Sequence, residues 1–387
     1  MRIAINASFW DSPTTGSGQY TRRLVEHLVA RDPGLEMMLV APRGWGFQVS
    51  RFTPYVSGCP QPVTWNLKPE TGSLRKTWFE QVGFPRACRR LRADVAHVPY
   101  WAPPLTPSVP TAVTIHDLIP LMLREYRGGP LVRLYTALAS TAAQSAALAL
   151  TDSEASRRDI VAHLGLPSER VRVAHLAADE SYTPTATPED VDIRARYGLP
   201  KRYALYLGGF DVRKNVATAL ITYRWAGPTI GEECPLVIAG RLPERDSPFT
   251  PDPRRLAREQ GIDERYVRFT GLIDEADKPA LYRGAVVFIF PSRYEGFGLP
   301  PLEALACGTP VVGSNASSIP EVVGSAGVLL PPDDAEGMAG ALIQLATDED
   351  FRTEMSRRAL AQAAHFSWER TARETLAAYQ EVLQPET

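Results

Sequence analysis

The fold is decided by the stretch Phe290-Pro-Ser-Arg-Tyr-Glu-Gly-Phe-Gly-Leu-Pro-Pro-Leu-Glu-Ala304. It begins at the end of an apolar run, 285–290, which is rich in Val, Ile and Phe and short enough to be a strand buried on both faces of a parallel sheet. The two glycines permit backbone conformations that other residues avoid, and the proline pair after them suits the first turn of a helix. We therefore predict a strand, a glycine turn and a helix N-terminus, an arrangement that attracts an anion such as a phosphate.

Two glutamates, Glu295 and Glu303, flank this turn. A carboxylate beside a phosphate-attracting turn makes sense if the ligand also carries hydroxyl groups, because carboxylates accept hydrogen bonds from sugars. The alternative is that Glu303 only complements the dipole of its helix and that Glu295 is a solvated loop residue. The first interpretation predicts a nucleotide-sugar site whose donor-binding residues, besides Glu303, are Gly296, Phe297, Gly298 and Leu299.

Strand and helix signals alternate along all 387 residues, which indicates an α/β protein with parallel sheets flanked by helices. The segment 179–188 is rich in threonine and proline, has no apolar period, and separates two such series. We therefore expect one domain at 1–180 and a second at 181–366, with a cleft between them at the carboxyl ends of their strands, where ligands of open α/β sheets bind.

Composition argues against several classes of protein. The first 180 residues carry 20 basic and 15 acidic side chains, which is too weak an imbalance to indicate nucleic acid. The four cysteines lack the spacing of a zinc site or a disulfide framework, so we expect reduced thiols and a cytoplasmic location. Residues 2–7 have the pattern of a strand rather than a signal peptide, and no apolar run approaches the length of a membrane span.

A pair of adjacent cations, Arg213 and Lys214, follows the predicted strand 203–207. Two cations at the start of a helix oppose its dipole unless an anion lies between them. Arginine grips a phosphate with two parallel hydrogen bonds and lysine acts as a point charge. We predict that this pair holds a diphosphate and stabilises its charge as it departs.

Two sequences have the Asp-x-Asp spacing of a divalent-cation motif, Asp190-Val-Asp192 and Asp348-Glu-Asp350. Neither ends a buried strand, because one follows the proline-rich connector and the other lies between two predicted helices. We interpret both as solvated helix starts and expect chemistry that needs no metal.

The first domain offers a glycine loop and one histidine. Gly16-Ser-Gly18-Gln-Tyr-Thr21 follows a strand, as in dinucleotide sites, but its sixth residue is threonine and the second strand ends without a carboxylate for a ribose. A simple tight turn remains the alternative. His116 follows the predicted strand 112–115, although a lone histidine is more often structural than functional.

The stretch 73–92 is basic and contains Trp78 and Phe79. Such a segment can rest on an anionic bilayer or attract a lipid-diphosphate acceptor. The alternative is an ordinary amphipathic surface helix that is broken at Pro85. Peripheral contact with the inner face of the cytoplasmic membrane is therefore an open expectation.

The string from Glu295 to Glu303 resembles the Glu-x7-Glu signature of retaining glycosyltransferases of family 4. Further segments resemble the same family at 114–120, 151–160, 308–312 and 319–321. The resemblance implies the GT-B fold of two Rossmann-like domains, with a final helix, here 367–387, that crosses back to the first domain. It also implies transfer of a hexose from a nucleoside diphosphate sugar to an acceptor hydroxyl, with retention of the anomeric configuration.

The same resemblance implies roles for single residues. The counterpart of His116 points at the transferring sugar, and the loop with Gly16 and Gly18 lies against the donor phosphates and the acceptor. The combination of segment 114–120 with an Arg-Lys-Asn loop looks most like mannosyltransferases that use GDP-mannose in polysaccharide assembly, while UDP-glucose or a deoxyhexose donor stays open.

Our mechanistic hypothesis is substitution on one face of the sugar, with the departing diphosphate taking the acceptor proton. Glu295 would hold hydroxyls of the donor sugar, and Glu303 would hold the ribose. The expected partners are a nucleotide sugar and an acceptor glycan or lipid-linked glycan, with no cofactor. Outside the transferases, an epimerase acting on UDP-N-acetylglucosamine and a non-catalytic sugar-nucleotide sensor remain alternatives.

Overall fold

The computed structural model describes residues 1–12, 15–43, 46–52 and 73–383. The chain divides into two units, which are described separately below. The first comprises Met1–Leu176 together with Ser367–Thr387, and the second comprises Ala177–Phe366.

Within the described part of the first unit, seven strands form one sheet in the order β3-β2-β1-β4-β5-β6-β7. The strands are β1 Arg2–Asn6, β2 Glu36–Arg43, β3 Gly46–Phe52, β4 Val95–Val98, β5 Thr111–Thr114, β6 Leu148–Thr151 and β7 Val171–Val173. Strand β3 pairs antiparallel with β2, whereas the other pairs are parallel. The sequence did not predict β3, because a hairpin needs no crossover helix and so interrupts the strand–helix alternation.

The described residues of the second unit form a six-stranded parallel sheet in the order β10-β9-β8-β11-β12-β13. Its strands are β8 Ala204–Leu207, β9 Leu236–Ala239, β10 Val267–Gly271, β11 Val287–Phe290, β12 Val311–Ser314 and β13 Gly327–Leu330. The central strands are buried, as their continuous apolar sequences predicted.

Helices flank both sheets. In chain order they are α1 Gly16–Arg31, α2 Ser73–Trp78, α3 Phe84–Leu91, α4 Ile119–Met122, α5 Pro130–Ala143, α6 Glu154–Leu164, α7 Glu189–Arg196, α8 Val216–Ile230, α9 Pro253–Glu259, α10 Lys278–Gly284, α11 Leu299–Ala306, α12 Ile319–Val323, α13 Ala335–Thr347, α14 Glu349–Ala363 and α15 Trp368–Leu383. None of those in the described residues has both the length and the apolar character needed to span a bilayer.

The last helix, α15, packs in the first unit through a buried polar chain. Tyr379 Oη lies 2.6 Å from His97 Nδ1, and His97 Nε2 lies 2.7 Å from Thr114 Oγ1. His97 is fully buried, and burial, followed by the neighbouring His116, lowers its pKa to about 3. His97 is therefore a neutral packing residue that joins β4, β5 and α15.

The basic stretch 73–92 is more buried than the sequence suggested. Phe79 and Phe84 belong to the core of the first unit, so the aromatic face expected at a membrane is partly turned inward. The helix is not broken at Pro85. A π-helical turn, Phe79–Gly83, joins α2 to α3, because one wider turn accommodates the missing N–H and the bulk of the proline ring in the next turn.

Candidate active site

The turn after β11 has the predicted order of strand, turn and helix. Gly298 caps α11 with a φ of 114°, a conformation that favours glycine. Gly296 does not use the conformational freedom that the sequence offered at this position. Pro300 and Pro301 occupy the first turn of α11 and carry no N–H. The first turn of α11 therefore offers an anion fewer backbone donors than an ordinary helix start does.

Side chains of the turn point in different directions. Phe297 is buried, and its ring meets Phe366 edge-on at a centroid distance of 5.8 Å. Leu299 is half-buried at the start of α11. Phe297 therefore anchors the turn in its own unit.

Two serines from the loop after β12 hold the turn in place. The Glu295 amide donates to Ser317 Oγ at 2.8 Å. The fully buried Ser318 hydroxyl lies 2.9 Å from the Glu295 carbonyl and 2.6 Å from that of Phe297. The turn is thus a rigid element with satisfied backbone groups rather than a solvated loop.

The carboxylate of Glu295 pairs with both predicted cations. Arg213 Nη1 lies 2.6 Å from Oε2, and Lys214 Nζ lies 2.8 Å from Oε1. Ser292 Oγ donates to Oε1 at 2.5 Å. Glu295 is 8% exposed, so the interpretation of a solvated loop residue is wrong.

The electrostatics of this group keep Glu295 ionised. Burial alone would raise its pKa, but Lys214, Arg213 and the hydrogen bonds from Lys214 and Ser292 outweigh burial and lower the pKa below its ordinary value. Asp211 Oδ1 also lies 3.6 Å from Arg213 Nε. Two cations and a buried anion therefore share a small volume at the carboxyl end of β11.

The backbone before α8 holds the two cations in position. They end a 3₁₀ turn, Val212–Lys214, and the next residue, Asn215, has a φ of 55°. Asn215 Nδ2 donates to the Pro332 carbonyl at 2.8 Å. The cations therefore precede α8 rather than lie within it, and Asn215 has an anchoring role that the sequence did not reveal.

The second glutamate, Glu303, has different partners. Its Oε2 accepts a hydrogen bond from Tyr282 Oη at 2.9 Å. Burial raises its pKa, and Lys278 together with hydrogen bonds from Tyr282 and Tyr182 offsets only part of that effect. Glu303 therefore does more than complement its helix dipole, because two tyrosines fix its orientation.

In the first unit, the two predicted glycines lie in the first turn of α1 rather than in a loop before it. Thr15 caps this helix by accepting from the Gly18 amide. A Cβ at Gly18 would lie 2.1 Å from the Ser12 carbonyl oxygen, whereas one at Gly16 would meet nothing within 4 Å. Close backbone packing explains Gly18, and Gly16 stays exposed.

His116 lies just beyond β5 and faces Asp152, the residue that directly follows β6. Its Nδ1 is 2.7 Å from Asp152 Oδ2. Burial lowers the pKa of His116, but Asp152, Asp117 and the backbone of Pro99 outweigh burial and raise the pKa above its ordinary value. The ring of Tyr20 packs edge-on against the imidazole at a centroid distance of 4.8 Å.

The two Asp-x-Asp sequences have different surroundings. Asp348 caps α14 and is exposed, as predicted for a solvated helix start. Asp190 lies in the first turn of α7 and pairs with Arg283 at 2.6 Å, so it is not solvated and that prediction is wrong. No cluster of three His, Cys, Asp or Glu residues suited to a metal occurs in the described ranges.

Several residues of the site were missed by the sequence interpretation, including Asp152, Ser292, Ser317, Ser318 and Tyr282. The available signal was a polar residue directly after a buried strand, which applies to Asp152 and approximately to Ser292. No such signal marks Ser317, Ser318 or Tyr282, because none of them directly follows a buried strand.

Two family models match the chain. Residues 14–182 match the model described as Glycosyltransferase Family 4, and residues 201–348 match the model described as Glycosyl transferases group 1. The first match lies in the first unit except for residues 177–182, and the second match lies wholly in the second unit.

Known proteins resemble the chain over most of its length. O-antigen chain mannosyltransferase B of Escherichia coli is 36% identical over 267 residues, which are 69% of each chain. Serotype-specific mannosyltransferase WbdA of Escherichia coli is 32% identical over 280 residues, covering 71% of this chain and 34% of that protein. The structure of sucrose-phosphate synthase from Thermosynechococcus elongatus superposes with a TM-score of 0.73 at 21% identity, covering 98% of both chains. The chain therefore belongs to glycosyltransferase family 4 and has the GT-B fold of two Rossmann-like domains.

Proposed function

We propose that this glycosyltransferase is a retaining mannosyltransferase that moves mannose from GDP-mannose to a hydroxyl of an acceptor glycan or lipid-linked glycan in polysaccharide biosynthesis. The observation that carries the proposal is the pairing of Arg213 and Lys214 with Glu295 beside the Gly298 turn. This group places two cations beside a carboxylate whose oxygens suit hydrogen bonds from sugar hydroxyls. The two Escherichia coli relatives, both named mannosyltransferases, support mannose as the sugar.

In the proposed mechanism, the donor diphosphate binds to the cations that pair with Glu295, and those pairs are kept. Arg213 and Lys214 bind the phosphate oxygens while they stay beside Glu295, whose carboxylate oxygens also accept hydrogen bonds from sugar hydroxyls. The bond from the anomeric carbon to the phosphate oxygen breaks while the acceptor oxygen bonds to that carbon on the same face. The departing phosphate takes the acceptor proton, and the two cations stabilise its growing charge.

A single-face route suits the environment of Glu295. A covalent route to retention needs a carboxylate nucleophile about 5 Å from its catalytic partner, across the reacting carbon. Glu295 is already committed to two cations and the Ser292 hydroxyl. Those partners suit a hydroxyl-binding residue better than a nucleophile. Neutralisation by the cation pair also supports transfer without a metal.

Other residues have supporting roles in the proposal. Glu303, oriented by Tyr282, would accept hydrogen bonds from the ribose hydroxyls. His116 would contact the transferring sugar, and the α1 start with Gly16 and Gly18 would lie along the donor phosphates. These roles rest on the resemblance to the family, and the experiments below test those of Glu303 and His116.

We propose a cytoplasmic location, which three buried free cysteines, Cys88, Cys234 and Cys307, support. The fourth cysteine, Cys59, lies outside the described residues. Contact with an anionic membrane surface or lipid-linked acceptor would use the outer face of α3, which exposes Arg86, Arg89 and Arg90.

The test is to incubate the protein with a panel of nucleotide sugars, GDP-mannose, UDP-glucose, a nucleoside diphosphate deoxyhexose and UDP-N-acetylglucosamine, and to follow donor consumption. Slow hydrolysis of GDP-mannose, and transfer to an acceptor with the anomeric configuration retained by NMR, support the proposal. Preferred turnover of another donor overturns the assignment of mannose. Epimerisation of UDP-N-acetylglucosamine, or binding without any turnover, overturns the assignment as a transferase.

A further inference from the structure

The register of the first sheet places an acid directly beside His116. Strands β5 and β6 pair in parallel with Val113 opposite Ala149 and Thr114 opposite Leu150. Continuing the same register beyond both strands sets His116 opposite Asp152. We propose that Asp152 is a positioning residue that fixes the ring orientation and tautomer of His116 for glycosyl transfer. This inference depends on the proposed function, in which His116 meets the transferring sugar.

The contacts of Asp152 suit a positioning role. Its carboxylate is 3% exposed and lies 2.7 Å from His116 Nδ1. Because an ionised carboxylate only accepts hydrogen bonds, Nδ1 must carry the proton in this pair. The pair therefore directs the other ring nitrogen, Nε2, away from Asp152 and selects the tautomer with a proton on Nδ1 when the ring is neutral.

The start of α6 holds both members of the pair. Ser153 caps α6 by accepting from the Ser156 amide at 3.0 Å, which fixes the backbone next to Asp152. The Ser156 hydroxyl donates to the His116 carbonyl at 3.1 Å. The backbone and the ring of His116 are thus both bound to one rigid helix start, as precise placement of a reacting group requires.

The opposite side of the imidazole is ready for a ligand group. Nε2 is shielded from solvent and makes no well-aligned hydrogen bond to the residues that the structure describes, although the backbone of Pro99 lies close to the ring. The imidazole as a whole is 22% exposed, so one part of the ring remains accessible. Because buried polar atoms normally have partners, an orphan Nε2 on an oriented ring fits a site completed by a substrate hydroxyl.

The titratable groups around the imidazole of His116 also fit a positioning role for Asp152. The titratable groups that face it are Asp152, Asp117, Tyr20 and His97. Asp117 Oδ1 accepts from the Ile119 amide at 2.9 Å and so shapes the start of α4. Asp152 is the acid that bonds the imidazole directly, which separates its role from that of Asp117.

The experiment measures initial rates of transfer for His116→Ala, Asp152→Asn, Asp152→Glu and the double variant His116→Ala/Asp152→Asn. The matched control is Asp159→Asn, the same amide substitution at a position within α6, about two helical turns beyond Asp152. We expect Asp152→Asn to lower kcat by about 10- to 100-fold, because a misplaced group costs rate in that range, while KM for the donor changes less than threefold. The control should keep the rate of the unmodified protein.

The double variant separates positioning from a purely structural role. If Asp152 acts only through His116, the double variant should transfer at the rate of His116→Ala alone, and Asp152→Glu should recover part of the loss. Asp152→Asn with a normal rate, or losses that multiply in the double variant, would overturn the inference. If Asp152→Asn does not fold, Asp152→Glu with the same double-variant comparison replaces it. A protein that turns over no donor, or a fully active His116→Ala, would instead contradict the proposed function.

Discussion

Replacing Lys214 by alanine tests the centre of the proposed mechanism. Its ammonium is 2.8 Å from Glu295 Oε1 and 5.3 Å from the centre of the Phe290 ring, and its side chain is only 15% exposed. A charge contact in such a shielded site is weakly screened by solvent. Removing one charged group that stabilises a departing diphosphate should raise the barrier by about 2–4 kcal/mol, or roughly 30- to 1,000-fold in kcat/KM.

Folding should be little affected by this change. After the loss of Lys214, Glu295 still receives hydrogen bonds from Arg213 at 2.6 Å and from Ser292 at 2.5 Å, so its buried charge remains compensated. The matched control is Lys201→Ala, which removes an exposed lysine of the same unit. We expect the control to keep its rate and both variants to unfold within a few degrees of the parent.

The assay is kcat/KM for donor consumption with a saturating acceptor, together with calorimetric binding of the nucleoside diphosphate. Loss in both measurements shows that Lys214 binds the diphosphate before and during departure, whereas loss in kcat/KM with unchanged binding shows that it acts mainly in the transition state. A Lys214→Ala protein with kcat/KM within threefold of the parent, under conditions in which Arg213→Ala is impaired, would refute the role assigned to Lys214.

Three further predictions concern binding, packing and pH. Glu303→Gln, which keeps an acceptor for Tyr282, should stay folded but bind the donor about tenfold more weakly, because a hydrogen bond to a charged group contributes about 1.5–3 kcal/mol; unchanged affinity by calorimetry would remove the ribose role. Gly18→Ala should lower the free energy of unfolding by about 1–3 kcal/mol, because the added Cβ would lie 2.1 Å from a backbone oxygen. Gly16→Ala should be neutral or slightly stabilising, because a Cβ there meets nothing within 4 Å. Equal free energies of unfolding for the two variants in denaturant titrations would contradict this packing. The pKa of His97 is about 3 in the folded state and has its ordinary value of 6.5 in the unfolded state. Above about pH 6.5 the ring is neutral in both states, so it costs no stability. As pH falls from 6.5 towards 3, only the unfolded state takes up the proton, and the free energy of unfolding decreases by up to about 1.4 kcal/mol per pH unit. Urea titrations between pH 7 and pH 4 test this slope, and a His97→Gln variant with the same slope as the parent would show that other groups cause it.

Local patterns were enough to predict the individual elements. The strands predicted at 112–115 and 203–207 are observed at 111–114 and 204–207, and the strand–turn–helix order of 290–304 was correct. Each depends on neighbouring residues only, through apolar runs, glycine and proline. The predictions failed where a residue distant in sequence determines the structure, as for the antiparallel pairing of β3 and the ion pair of Asp190 with Arg283.

By itself the sequence determined that two glutamates flank a glycine turn at the end of a buried strand and that two cations follow another strand, because residue type and short-range spacing set these features. Only the tertiary structure decided that Glu295 takes both cations as partners and that Asp152 faces His116. Strand register brings together side chains that are 36 or more residues apart in the chain, and no local pattern encodes that register.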